Sequence, residues 1–129
     1  MRVDVFSTHA NLAERCIRDR VVVVIDVLRA TSCMVTALDH GAREIIPVED
    51  VEEALGMGER LGRENVLLGG ERNALLIPGF DLGNSPLDYT EDKVKGKVIV
   101  ATTTNGTRAI RRAKTSGAKK ILVGAYLNA

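Results

Sequence analysis

Short apolar runs of β type alternate along the chain with stretches whose apolar positions recur every three to four residues, and this alternation sets the expected architecture. Val3, Val5 and Phe6 alternate as a short strand does, and the polar stretch after them, with His9 and Asn11, is expected to enter a helical turn through Ile17. Residues 21–25 are an unbroken β-branched run ending at Asp26, which suits a central strand buried on both faces. From 29 to 39, Ala30, Cys33, Met34, Ala37 and Leu38 recur at helical spacing, and Gly41 follows where a helix stops.

The same unit repeats. Residues 44–48 form a β-type run with Pro47 marking its end or an edge, and Glu49 and Asp50 open a helix whose buried stripe is Val51, Ala54, Leu55 and Leu61, with Gly56 and Gly58 weakening it. Residues 65–68 predict a strand running into Gly69-Gly-Glu-Arg-Asn73. Residues 74–92 have no sustained period, but Leu75, Leu76, Ile77, Phe80, Leu82 and Leu87 predict an ordered loop that packs down. A strand over 97–101, a helix over 105–114 and a strand over 119–123 complete the series. Strands alternating with helices predict a single α/β domain over residues 1–129, a three-layer αβα arrangement around a mostly parallel sheet. The end is abrupt, since Asn128 could cap a further helix, and the chain reads as if interrupted.

Composition narrows the function. With 18 basic and 17 acidic residues, the net charge is +1 and aromatic residues make up 3%, so neither a basic stripe nor a stacking surface for nucleic acid is expected. Any anion site must therefore be local. No run is long enough to cross a bilayer, and Cys16 and Cys33 lack the spacing of a zinc or redox pair, so a reduced, cytoplasmic protein is expected.

Open α/β sheets bind ligands beyond the carboxyl ends of their strands, and the polar signatures fall there. Asp26, Arg29, Thr31 and Ser32 follow one strand; Glu71, Arg72 and Asn73 follow another; Thr102, Thr103, Thr104, Asn105, Gly106, Thr107 and Arg108 follow a third. Part of the 74–92 loop, with Asp81, Asn84 and Ser85, is expected at the same edge. The hydroxyl-rich stretch before a helix can cradle an anion on unpaired backbone N–H groups, or simply cap the helix. Arg29 and Arg108 have the wrong sign for a helix start, which an anion between them would offset. Asp26 reads as a cation ligand or nucleophile, or as a cap. Glu71 could join Asp26 or Asp81 around magnesium, or form a rim ion pair with Arg72. Cys33 is expected in the core rather than as a nucleophile. His40 closes a helix, whereas His9 is ambiguous, since it follows a strand from which it could reach the site. The basic residues Arg111, Arg112, Lys114, Lys119 and Lys120 read as a solvated face.

Several phosphate chemistries are excluded by motif. There is no glycine-rich loop ending in Gly-Lys-Ser/Thr, no arginine six residues after either cysteine, no second aspartate two residues after Asp26, where Leu28 stands, and no Gly-x-Ser-x-Gly elbow.

Four blocks in order, Val24-Ile-Asp-Val-Leu-Arg-Ala-Thr-Ser32, Leu68-Gly-Gly-Glu-Arg-Asn73, Ile77-Pro-Gly-Phe-Asp-Leu-Gly-Asn-Ser-Pro86 and Thr102-Thr-Thr-Asn-Gly-Thr-Arg-Ala109, closely resemble the 2-phosphosulfolactate phosphatase family. The resemblance implies a magnesium-dependent phosphatase that converts 2-phospho-3-sulfolactate, or a related phosphorylated acid, to sulfolactate and phosphate in coenzyme M biosynthesis. It implies an α/β fold of its own type and members longer than this chain, which then resembles their N-terminal part. On that reading Asp26, Arg29, Glu71 and Arg72 carry the chemistry; Asp26, Glu71 and Asp81 take the metal; and Thr31, Ser32, Asn73, Thr103, Thr104, Asn105, Gly106, Thr107 and Arg108 bind substrate. A phospho-acid isomerase or lyase using the same edge, and a non-catalytic anion-binding module, are the alternatives. A homo-oligomer is expected from an exposed sheet edge or apolar patch.

Overall fold

The computed structural model describes residues 1–10 and 12–129; the expectation that involved Asn11 lies outside the described residues. The elements are β1 (Val21–Ile25), α1 (Ala30–Asp39), β2 (Glu44–Val48), α2 (Val51–Leu61), β3 (Val66–Arg72), β4 (Leu75–Leu76), α3 (Glu91–Val94), β5 (Val98–Thr102), α4 (Gly106–Thr115) and β6 (Lys120–Gly124). Short 3-10 turns occupy Glu14–Cys16, Pro86–Asp88 and Tyr126–Asn128. The architecture is three-layer α/β with parallel strands flanked by helices, as the alternation predicts.

β5 is the strand around which the layers form. It lies parallel between β2 and β3, with Val100 opposite both Ile46 and Leu68, and all of its residues are buried. Because side chains alternate along a strand, Ile99 and Ala101 face a cluster with Cys33, Met34 and Ala37 of α1, while Val98 and Val100 face one with Ala54 of α2, Ile77 and Phe80. Two apolar faces with a helix on each require the sheet to lie between them. β4 closes the order β2-β5-β3-β4 as an antiparallel edge.

The strand expected to be central is not. Among the described residues β1 pairs only with β6, in a separate two-stranded parallel sheet, and Val21, Val23 and Ile25 are 57%, 52% and 72% exposed. β-branching sets the preference for extended backbone, whereas burial depends on what packs against the strand, which the run itself does not encode. Val3, Val5 and Phe6 likewise form no strand and stand exposed, contrary to expectation, because no neighbouring strand among the described residues pairs with them.

α2 forms despite its glycines. Asp50 caps it by accepting a hydrogen bond from the Glu53 N–H at 2.7 Å, and the Glu53 carboxylate accepts one from the Glu49 N–H at 3.0 Å, which holds the entry into the helix. Gly58 lets the helix approach β3: a Cβ there would meet Leu68 Cδ2 at 3.2 Å.

The 74–92 segment packs down through Ile77, Phe80 and Leu82, which are buried, but Leu75, Leu76 and Leu87 remain 70%, 53% and 86% exposed, correcting that part of the expectation. Its start is a hairpin rather than a loop. Arg72 pairs with Leu75 across Asn73 and Ala74, whose φ values of 53° and 61° are those of a primed two-residue turn. Asn adopts this region readily and alanine does not. Ala74→Gly is therefore expected to raise stability by about 1 kcal/mol, read as a higher urea midpoint with an unchanged slope. Among the described residues no helix is long and apolar enough to cross a membrane.

Candidate active site

Parallel pairing brings the ends of β2, β3 and β5 level, with Val48 and Gly70 both opposite Thr102. The segments leaving these three strands therefore share one edge. Gly70 makes the alignment possible: at φ 155°, a Cβ there would lie 2.4 Å from the Thr102 carbonyl oxygen, so only glycine allows β3 and β5 to stay this close while the chain turns into Glu71.

The end of β1 reaches the same edge. At the start of α4, a Cβ on Gly106 would be 3.0 Å from Asp26 Oδ2 and 3.3 Å from Ala30 Cβ, so the Asp26 carboxylate lies against the first residue of α4 beside the first residue of α1. Two helix N-termini thus meet at one carboxylate. Neither Arg29 nor Asn105, the residues at those caps, has a side-chain hydrogen bond into its own helix. Asp26 is half-buried and enters no ion pair among the described residues, and the same holds for the exposed Arg108.

The structure sorts the hydroxyl-rich stretch into two groups. Thr102 donates to the Glu49 carbonyl at 3.2 Å and accepts from Arg72 Nη2 at 3.0 Å. Thr103 and Thr107 are buried and bind one another: the Thr107 N–H donates to Thr103 Oγ1 at 3.2 Å, and the Thr107 hydroxyl donates to the Thr103 carbonyl at 3.0 Å. These residues build the turn, so the capping role weighed for the stretch belongs to Thr103. Thr104, Asn105 and Arg108 lie exposed at its mouth around buried Gly106. Near α1, Thr31 is buried, its N–H bonded to the Asp26 carbonyl at 3.3 Å, and the Ser32 hydroxyl donates to the Val27 carbonyl at 2.9 Å. Asn73 stands at the exposed hairpin tip.

Glu71 is paired with Arg29 rather than Arg72: Arg29 Nη2 donates to Glu71 Oε2 at 2.8 Å, and Asn84 Nδ2 donates to Oε1 at 3.2 Å. Arg72 instead donates to the Glu71 carbonyl at 2.9 Å and to Thr102. Arg29, Glu71, Asn84, Ser85 and Asp81 line an open cleft of about 360 Å³. The expected trio of metal ligands is not assembled, since among the described residues no three Asp, Glu, His or Cys side chains gather closely enough to hold an ion. Asp81 is committed elsewhere, its carboxylate accepting from Arg63 at 3.0 Å on both oxygens and from the Leu68 N–H at 2.7 Å.

Cys33 is a core residue, as expected. Burial pushes its thiol from 9.0 up to about 12; Arg29 opposes the shift, and the charges of Asp88, Glu71 and Asp26 add to it. The folded protein therefore favours the neutral thiol over a range in which the unfolded chain ionises. Stability from this residue is complete below pH 9 and falls as pH rises from 9 toward 12, by at most about 1.4 kcal/mol per pH unit. Urea denaturation of the protein and of Cys33→Ala at pH 8 and pH 10 checks this, the variant losing less of its stability. His40 closes α1 with Nδ1 2.6 Å from the Tyr89 carbonyl oxygen, and Arg111 of the expected basic face pairs with Glu53 and Glu49. Sequence reasoning gave no role to Tyr89, a buried phenol that donates to the Gly83 carbonyl at 2.9 Å and anchors the loop carrying Asn84.

Fold and edge together define an α/β protein with a candidate anion site at the carboxyl ends of its parallel strands. The chain belongs to the 2-phosphosulpholactate phosphatase family, whose model it matches over residues 6–129. It is 54% identical over 129 residues to a probable 2-phosphosulfolactate phosphatase of Clostridium novyi (strain NT), covering 100% of this chain and 54% of that protein. A protein of the same description from Caldicellulosiruptor saccharolyticus is 50% identical over 129 residues, covering 100% of this chain and 52% of the relative, and one from Clostridium beijerinckii is 47% identical over 128 residues, covering 99% and 53%. The chain spans about half the length of these relatives.

Proposed function

We propose that this chain carries the substrate-binding and reacting edge of a phosphatase acting on 2-phospho-3-sulfolactate or a closely related phosphorylated acid, the step that in coenzyme M biosynthesis yields sulfolactate. The observation that carries the reading is the Asp26 carboxylate set against the start of α4 beside the start of α1. Backbone N–H groups at the two starts attract a tetrahedral dianion, and Arg29 and Arg108 offer donors matched to phosphate, sulfonate and carboxylate oxygens. Asp26 then lies next to the bound group.

Two routes use this arrangement. In one, a water oxygen attacks phosphorus, the P–O ester bond breaks, and sulfolactate leaves with a proton on its hydroxyl. In the other, an Asp26 oxygen attacks phosphorus, the P–O ester bond breaks, sulfolactate leaves and takes a proton from solvent on its hydroxyl, and water then cleaves the aspartyl phosphate to restore Asp26 and release phosphate. Trapping with hydroxylamine separates them. Magnesium suits the edge as an ion that takes one or two carboxylates together with substrate oxygens: Asp26 would hold it, and when bound it would neutralise phosphate charge, whereas both Glu71 oxygens are engaged by Arg29 and Asn84.

The test is release of inorganic phosphate from 2-phospho-3-sulfolactate with magnesium and with chelator, comparing this chain with the intact Clostridium novyi relative. Substrate consumption without phosphate would favour an isomerase or lyase. Thermal stabilisation by phosphate, without magnesium dependence or turnover, would reduce the chain to an anion-binding module. Arg108→Ala is expected to lower kcat/KM by about 10²–10³-fold, the scale of a removed oxyanion donor. An unchanged value would remove Arg108 from the site.

The exposed face of Val21, Val23, Ile25 and Leu122 supports self-association of the isolated chain. Light scattering is expected to give more than a monomer mass, and Val23→Lys with Ile25→Lys to lower it.

A further inference from the structure

We infer that Asn84 is a positioning residue, one that holds Glu71 so that Glu71 in turn aims Arg29 at the substrate anion; the inference rests on the anion-binding reading of this edge. Asn84 lies between two groups of opposite demand. Its Nδ2 donates to Glu71 Oε1 at 3.2 Å, while its Oδ1 accepts from Cys33 Sγ at 3.5 Å. The buried Cys33 is a thiol, hence a donor, and Glu71 is a carboxylate, hence an acceptor, so only one orientation of the Asn84 amide serves both. The other Glu71 oxygen is left for Arg29 Nη2 at 2.8 Å.

The orientation is anchored from the core. The Asn84 loop hangs on β3 through the Gly70 N–H, which donates to the Leu82 carbonyl at 2.9 Å, and through the Tyr89 hydroxyl on the Gly83 carbonyl. Gly69 admits that hydroxyl: a Cβ there would stand 2.6 Å from it. Cys33 sits within α1, one turn from Arg29. Loop, helix and strand therefore fix both ends of a chain of contacts that runs from Cys33 through Asn84 and Glu71 to Arg29. An arginine held in advance loses less side-chain freedom when an anion arrives than a free one would.

An apolar side chain of similar size in place of the amide separates this role from mere packing. Asn84→Leu keeps most of the side-chain volume but offers no donor to Glu71 and no acceptor to Cys33.

The experiment uses the 129-residue chain and two readouts by NMR, the Arg29 guanidinium resonances and titration with sodium sulfate at fixed ionic strength, sulfate being a dianion over the whole range used. In the unaltered chain the Arg29 guanidinium protons are expected to be resolved by hindered rotation, and sulfate to shift them. Asn84→Ala should average those resonances and raise the sulfate Kd about tenfold at pH 5 and at pH 7.5. Asn84→Leu should do the same although it fills the space, and Arg29 resonances unchanged in it would equally overturn the inference. Arg29 resonances unchanged in Asn84→Ala would overturn the inference whatever sulfate does. Loss of Arg29 order in Asn84→Ala, with no sulfate binding to any form, would leave Asn84 as the group that orders Arg29 and refute the anion-binding reading instead.

Discussion

Asp26→Asn is expected to lower phosphate release by on the order of 10³-fold or more while leaving the fold intact. Either proposed route removes its central group: an amide is a poor nucleophile toward phosphorus and a poor partner for a hard cation, yet has nearly the volume of the acid. The fold should tolerate the change, because Asp26 is half-buried and its contribution to local structure is its backbone carbonyl, which accepts the Thr31 N–H. Removing a negative charge beside two helix starts also removes repulsion toward an incoming dianion. KM is therefore expected to hold or fall while kcat collapses, a split that a folding defect would not produce. The measurement is steady-state phosphate release in a context that turns over, this chain alone or joined to the remaining length of the Clostridium novyi relative. Near-normal turnover would eliminate Asp26 as both nucleophile and metal ligand.

Gly70→Ala is expected to produce the largest loss of stability, about 2–4 kcal/mol. The added methyl would lie 2.4 Å from the Thr102 carbonyl oxygen and 3.2 Å from Thr102 Cγ2, and the backbone φ of 155° is already strained for any residue with a Cβ. Backbone must move, since no flexible side chain is available to yield. Urea denaturation of the protein and the variant reads the loss. Gly96→Ala is the useful comparison, because its φ of 73° imposes the left-handed penalty with nothing within 4 Å of the new Cβ. It should cost about 1–2 kcal/mol, and the difference between the two variants isolates the contact.

Much of the candidate site was legible from residue order, because strands of a parallel sheet deliver their carboxyl ends to one side. That rule grouped Asp26, Arg29, Glu71 and Gly106 before any distance was available, and Asp26 does lie against Gly106 and Arg29 against Glu71. It could not assign partners. Arg72 follows Glu71 directly, yet its guanidinium reaches Thr102, while Glu71 takes an arginine 42 positions away. Nor could it separate hydroxyls that build a turn from those left at its mouth, since Thr103 and Thr104 are the same residue type one position apart with opposite exposure.

Hydrophobic period and turn chemistry are local properties, and by themselves they determined β1, β2, β3, β5 and β6, the three long helices, the α/β class and the edge where the polar residues gather, but neither β4 nor the lack of a strand at residues 3–6. Burial, pairing and side-chain partnership are not local. Only the tertiary structure decided that β5 rather than β1 is the buried centre, that Asn73 and Ala74 close a hairpin, that Asp81 belongs to Arg63, and that Asn84 stands between a core thiol and Glu71. The physical reason is that a strand's neighbours and a side chain's partner come from distant segments, and their positions are set by packing the whole chain at once.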